Sequence, residues 1–152
     1  MTVQNHKSHY LGLVSPRAVL YGVMAYLFGT VVVSISISGA TRAYLSAQGM
    51  DEARIRAFFG EQFDSPLFVL IGFLPSLLVF AIAGFVSARA ARKLPYWHAL
   101  ATILVALAFS FAPVISQVPV WFTFMNLIGA VIAALAGAYW CQSRFPTSSA
   151  SG

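Results

Sequence analysis

Four stretches of this chain, about residues 18–38, 66–88, 98–116 and 120–141, contain no Asp, Glu, Lys or Arg. Crossing a hydrocarbon core takes roughly 20 apolar residues, and each run is about that long. A span in lipid has no water to satisfy its backbone, so each run is expected to be a helix that closes its own hydrogen bonds. Composition agrees. Of 152 residues 59% are hydrophobic and 9% charged, where a soluble domain carries about a quarter charged. Mean hydropathy is +0.81. The expected fold is all-α and polytopic: one domain over 1–152 with four transmembrane helices.

Several local signals mark the ends of the runs. Ser15-Pro16 and Ser65-Pro66 each set a capping hydroxyl before a proline at the first helical position. Val118-Pro119 precedes the fourth run and Pro146 follows it. Trp97, Trp121, Tyr139 and Trp140 fall near predicted ends, where aromatic belts form. Ser38-Gly39-Ala40 resembles a leader-cleavage site, but the preceding run is longer than a usual leader's apolar core. Pro75 and Pro113 each remove a helical hydrogen bond within a run and predict kinks.

Cations set the expected orientation. Lys7 and Arg17 precede run one, Arg89, Arg92 and Lys93 lie between runs two and three, and Arg144 follows run four. Arg42, Arg54 and Arg56 lie on the other side. The positive-inside rule then expects both termini and the 89–97 loop in the cytoplasm of a bacterial inner membrane. Arg89, Arg92 and Lys93 are read as a topology anchor touching anionic headgroups, with a docking patch for a partner as the alternative.

The segment 39–65 is expected to be an outer, periplasmic loop. It holds all four acids, Asp51, Glu52, Glu61 and Asp64. Within it "MDEARIRAFFGEQFD" has helical periodicity, with Ile55, Phe58, Phe59 and Phe63 on one side and Glu52 and Arg56 at i,i+4. A short amphipathic helix on the membrane surface is predicted, ending near Gly60.

The runs themselves are poor in chemistry. A proton-coupled exporter of small four-helix type needs a membrane carboxylate, and no run contains one. No Ser-His-Asp, Cys-His or paired-carboxylate set can be assembled within them. The lone Cys141 excludes an intramolecular disulfide and a thiolate zinc cage. His6 and His9 lack further metal ligands nearby, and His98 is read as an amphipathic ring at the membrane interface. No catalytic residue, cofactor or metal is therefore expected. The scattered cations form no basic face, so nucleic acid is not an expected partner.

Small residues are abundant instead. Gly129, Ala133 and Gly137 are spaced by four and predict a close-packing ridge, continued by Cys141. Ala18, Gly22, Ala25, Gly29 and Ser36 make a similar seam in run one, Gly84 and Ala88 with Ala83 and Ser87 beside them in run two, and Thr102, Ala106 and Ser110 in run three. Asn126, Thr102 and Ser36 are the candidate polar contacts, between helices or along a pore. Ser34, Ser36 and Ser38 alternate and so cannot share one helical face.

The end of run two places Gly84, Phe85, Ser87, Ala88 and Arg89 before a short basic turn. This resembles a loose group of small bacterial inner-membrane proteins whose helices close with glycine-aromatic-x-small-Ala-Arg. The resemblance implies a four-helix membrane protein and carries no activity. The functional expectation is a non-enzymatic accessory or assembly subunit contacting membrane lipids and a membrane-protein partner or further copies of itself. The alternative is a small homo-oligomeric channel or facilitator.

Overall fold

The computed structural model describes residues 14–61, 66–91, 93–111 and 120–145. They are almost wholly helical, in five helices: α1 (Pro16–Ala47), α2 (Glu52–Gly60), α3 (Pro66–Ala90), α4 (Pro95–Phe111) and α5 (Val120–Arg144). Three segments, Pro16–Ala47, Leu70–Ala90 and Val120–Arg144, are long and apolar enough to cross a membrane. The 17 residues of α4 rise about 26 Å, a little less than the ~30 Å of a hydrocarbon core. Pro113, Val118, Pro119 and the end of the predicted third run lie outside the described residues.

α1 is longer than its apolar run. It continues through Gly39 for more than two further turns, to Ala47, where a loop was expected from residue 39. The sequence there, "GATRAYLSA", is rich in good helix formers, and one glycine costs only about 1 kcal/mol in a helix interior. The 32-residue helix rises about 48 Å, so it outreaches a ~30 Å core and carries Arg42 beyond it. Gly49, at φ +80°, ends the turn that follows, a conformation glycine adopts without a Cβ clash.

α2 forms where the periodicity predicts. Asp51 is its N-cap, its carboxylate accepting from the Arg54 amide at 2.8 Å. Ile55 is buried, while Phe58 and Phe59 are half-buried and meet edge to face. Phe63 lies outside the described residues. The expected Glu52–Arg56 pair does not form. Glu52 instead accepts from Arg42 of α1 at 2.6 Å, and Arg56 Nε donates to the Glu52 backbone carbonyl. The extension of α1 brings Arg42 within reach and claims the carboxylate first. Both partners are exposed, so this pair contributes little stability.

α3 is the central element. It packs against α1, α4 and α5, and α4 touches all three long helices, while α1 and α5 do not meet. The α3–α5 contact is the most extensive, and it rests on missing side chains. A Cβ on Gly84 would fall on the backbone of Ala134, and one on Gly137 would fall on the carbonyl of Ala81. The two helices therefore meet backbone to backbone. Around this seam lie Phe80, Ala83, Ile103, Ala106, Ala130 and Ala134, all buried. Tyr26 of α1 stacks on Phe80 with ring centroids 5.0 Å apart.

Large apolar side chains point outward instead. Phe28 and Ile35 on α1, Leu78 on α3, Leu104 on α4 and Ile132 on α5 are all exposed. A surface this apolar needs lipid or protein around it. The arrangement is that of a membrane protein whose core combines alanine and glycine with a few large side chains, Tyr26, Phe80 and Ile103 among them.

Gly137→Ala is expected to destabilise the bundle by about 1–3 kcal/mol, as overpacking typically does, because its methyl would strike backbone that cannot rotate away. Ala136→Leu, on the exposed side of the same turn, is expected to leave the melting temperature in detergent unchanged. Equal melting of both variants would refute the backbone contact.

Candidate functional site

Polar groups in this bundle gather in three places. The first is buried at the junction of α1, α3 and α4. Thr102 and Ser87 are both inaccessible, and Thr102 Oγ1 donates to Ser87 Oγ at 2.8 Å. Gly22 of α1 closes over them, since a Cβ there would lie 2.7 Å from Thr102 Cγ2 and 2.8 Å from Ser87 Cβ. Further along, Ser110 donates to the Ala106 carbonyl at 2.9 Å. Its proton is thereby used, so the Tyr26 hydroxyl, 2.5 Å away, is the donor of that pair. Both pairs join separate helices through hydroxyls whose partners are supplied within the bundle. Thr102 is thus an interhelix contact sealed from any surface.

The second place is the end of the bundle where α1 and α4 begin and α3 and α5 finish. Here Arg17, Arg89, Lys93 and Arg144 are all exposed, and the described acids Asp51, Glu52 and Glu61 belong to the α2 region. Arg89 and Arg144 sit in the last turns of their helices, where a cation favours the helix dipole. Arg89 also lies over the Phe145 ring, 3.5 Å from its centroid. Phe145 in turn meets Phe85 edge to face. Arg92 lies outside the described residues.

His98 belongs to this end, and its position corrects the expectation of an interfacial ring. It is only 1% exposed. The Ser15 amide donates to its Nε2 at 2.7 Å, and its Nδ1 lies 2.9 Å from the Leu94 carbonyl. A carbonyl only accepts, so the proton sits on Nδ1 and the ring is neutral. Ser15 is the N-cap of α1 with Pro16 at the first helical position, as predicted, but its hydroxyl makes no cap bond. The amide, not the hydroxyl, is the group that matters there. Leu94 stands at φ +52°, a left-handed conformation costly for leucine. Its carbonyl accepts from the Trp97 and His98 amides as well as from the ring.

The third place is a groove of about 260 Å³ between α1 and α3, lined by Thr30, Ser34, Ser38, Gly72 and Ser76 among others. Thr30, Ser34 and Ser38 are four residues apart and share a face; Arg42, the next in that series, lines an adjoining hollow of about 430 Å³ with Ser38, Gly39 and Phe59. The helices are tight below it, where a Cβ on Gly29 would lie 2.9 Å from Val79 Cγ1. They have parted at Gly39 and Gly72, beside which nothing lies within 4 Å. Ser76 donates to the Phe73 carbonyl, a local bond typical of helix serines. Ser36 points away from the groove and is exposed, as the 200° between i and i+2 requires. Asn126 is half-buried on α5, away from both hollows.

The predicted ridge on α5 all packs inward. Gly137 abuts Ala81 and Phe85 backbone, Gly129 faces Phe73 and Leu77 side chains, and Ala133 is half-buried against the core. The buried line beside it is Ala130, Ala134, Gly137 and Cys141, spaced 4, 3 and 4. A strict spacing of four turns about 40° per step and drifts off a contact, whereas alternating three and four holds it.

The chain matches no family model, and comparison with curated proteins and with solved structures finds no match. The site's geometry is the sole guide to function.

Thr102→Val keeps shape and removes the donor to Ser87. It is expected to cost about 0.5–2 kcal/mol, the range for interhelix hydrogen bonds in membranes. Ser36→Ala, on an exposed face, is expected to be silent in the same thermal melt.

Proposed function

We propose that this chain is a non-enzymatic integral membrane protein of a bacterial inner membrane, an accessory or assembly subunit that packs laterally against a partner or further copies of itself. In this reading α1, α3, α4 and α5 all cross the bilayer. Both termini and the 89–97 loop face the cytoplasm, and α2 lies at the outer surface. Four described cations, Arg17, Arg89, Lys93 and Arg144, at one end of the bundle, against Arg42, Arg54 and Arg56 beside the described acids at the other, support that orientation.

One observation carries the functional reading. The interior is closed by backbone contact at Gly84 and Gly137, and its buried hydroxyls are used in joining helices, while a hydroxyl-bearing groove opens sideways between α1 and α3. Polar groups facing inward serve the bundle. Polar groups facing sideways remain for a neighbour in the membrane, because a serine or threonine hydroxyl bonds across to an adjacent helix. A second reading, a homo-oligomeric channel or facilitator for an ion or small solute, draws on the same groove as a pore wall between copies. Thr102 would then take no part in the pore, and Ser36 would face lipid.

Two experiments test these statements. In a Cys141→Ala background on intact cells, Glu61→Cys is expected to react with a membrane-impermeant maleimide and Lys93→Cys to be protected. The reverse pattern overturns the orientation. A photo-crosslinker placed at Gly72 in the native membrane is expected to give one discrete adduct, and the pure protein in liposomes to leave them impermeable. Solute flux through those liposomes would favour the channel instead.

A further inference from the structure

His98 ties the start of α1 to the α3–α4 turn, across 83 residues of chain. Its ring accepts from the amide that opens α1, donates to the carbonyl that opens α4, and is buried at the end where α3 finishes. Nothing in the proposed lateral packing uses it. A backbone amide on imidazole Nε2 at 2.7 Å has a particular chemical consequence. The bond exists only while Nε2 keeps its lone pair. Adding a proton there turns two partners into two donors facing each other at hydrogen-bond distance.

We propose that His98 is a proton-operated latch that holds the start of α1 against the α3–α4 turn. With the ring neutral, Ser15 is held and α1 enters the bundle beside α4. With the ring protonated, the Ser15 amide loses its acceptor and α1 is released at that end. The direction follows from the bond itself: the latch is closed at higher pH and opens as pH falls.

The surroundings favour release over a rearranged bond. The charged and titratable groups described at this end of the surrounding elements are Arg17 and Tyr21 on α1, Arg89 on α3, Lys93 in the turn, Tyr96 on α4, and Tyr139, Cys141 and Arg144 on α5. The cations are exposed, Cys141 is buried, and none of them bonds the ring. The described carboxylates belong to the α2 region, so none stands here to hold an imidazolium in place. Protonation at Nε2 leaves the Nδ1–H bond to Leu94 in place, so only the Ser15 contact is lost. Leu94 keeps its left-handed backbone while its carbonyl is bonded by the ring and by two amides. The Ser15 contact spans 83 residues of chain, so its loss reports directly on how α1 and α4 are joined.

Spin labelling tests the latch in the full-length protein in detergent, with Cys141→Ala as background. A label at Arg17→Cys reads the start of α1, and one at Ala136→Cys reads the middle of α5 as a reference. Histidine side chains change charge between about pH 8 and about pH 5, so the titration covers that range. The mobile fraction of the Arg17 label is expected to rise roughly threefold as the ring protonates, with the Ala136 label unchanged. His98→Gln retains an acceptor that does not protonate there, and it is expected to make the Arg17 label insensitive to pH. A flat response in the parent overturns the proposal. So does loosening of both labels together, which would be general acid unfolding. An unchanged response in a folded His98→Gln protein overturns it equally. Should that variant not fold, the contrast between the two labels in the parent decides alone.

Discussion

The close approach of α3 and α5 sets the geometry of everything else. Two glycines, one on each helix, give up their side chains so that backbones touch at Ala134 and Ala81. Lipid tails are as apolar as leucine, so association in a membrane gains little from burying hydrocarbon and relies on dispersion between closely fitted surfaces. A seam this tight brings many atoms into contact at once. It also pins α3 at the centre, with α1 on one side and α5 on the other, and leaves α4 to cover all three. Most large side chains face outward, while Tyr26, Phe80 and Ile103 fill the interior beside the small residues.

Such a core restricts where polar chemistry can survive. Hydroxyls in an apolar interior need partners, and here they supply one another across helix boundaries, Thr102 with Ser87 and Tyr26 with Ser110. The Thr102–Ser87 pair sits beneath Gly22, where the helices approach closely enough for short side chains to meet, while the longer Tyr26 reaches Ser110. Where the helices part, between Gly39 and Gly72, the hydroxyls of Thr30, Ser34 and Ser38 face a hollow. The contrast between filled interior and open flank is the basis for reading the molecule as a lateral partner. The same logic explains why one end of the bundle depends on a histidine: the ring meets backbone groups that no side chain of α1 satisfies.

Much of this was legible in the residues. The apolar runs announced long helices because lipid leaves the backbone no alternative. The periodicity of "DEARIRAFFG" announced α2, and Asp51 caps it. Gly137 was recognisable as a contact because a run of small residues in an apolar helix serves little else. Other features were not legible. The spacing of Gly129, Ala133 and Gly137 did not reveal that the buried line alternates by three and four through Ala130 and Ala134. Glu52 was matched to Arg56, since pairing at i,i+4 is local, and its real partner Arg42 became available only when α1 extended. His98 was assigned to the interface because an aromatic belt stood next to it. Its position four residues after Leu94, which precedes a proline, was the overlooked signal: a ring there reaches back to the carbonyl that opens the helix.

By itself the sequence determined the helical class, the membrane-type surface and the gathering of all four acids in the 39–65 segment. These follow from composition and short-range periodicity, which act within one element and need no knowledge of neighbours. The tertiary structure alone decided which glycines meet backbone, which hydroxyls pair, where α1 and α3 separate and what His98 holds. Each of those depends on two segments many residues apart arriving at the same place. That arrival is set by how whole helix surfaces fit, which spacing along a single helix does not encode.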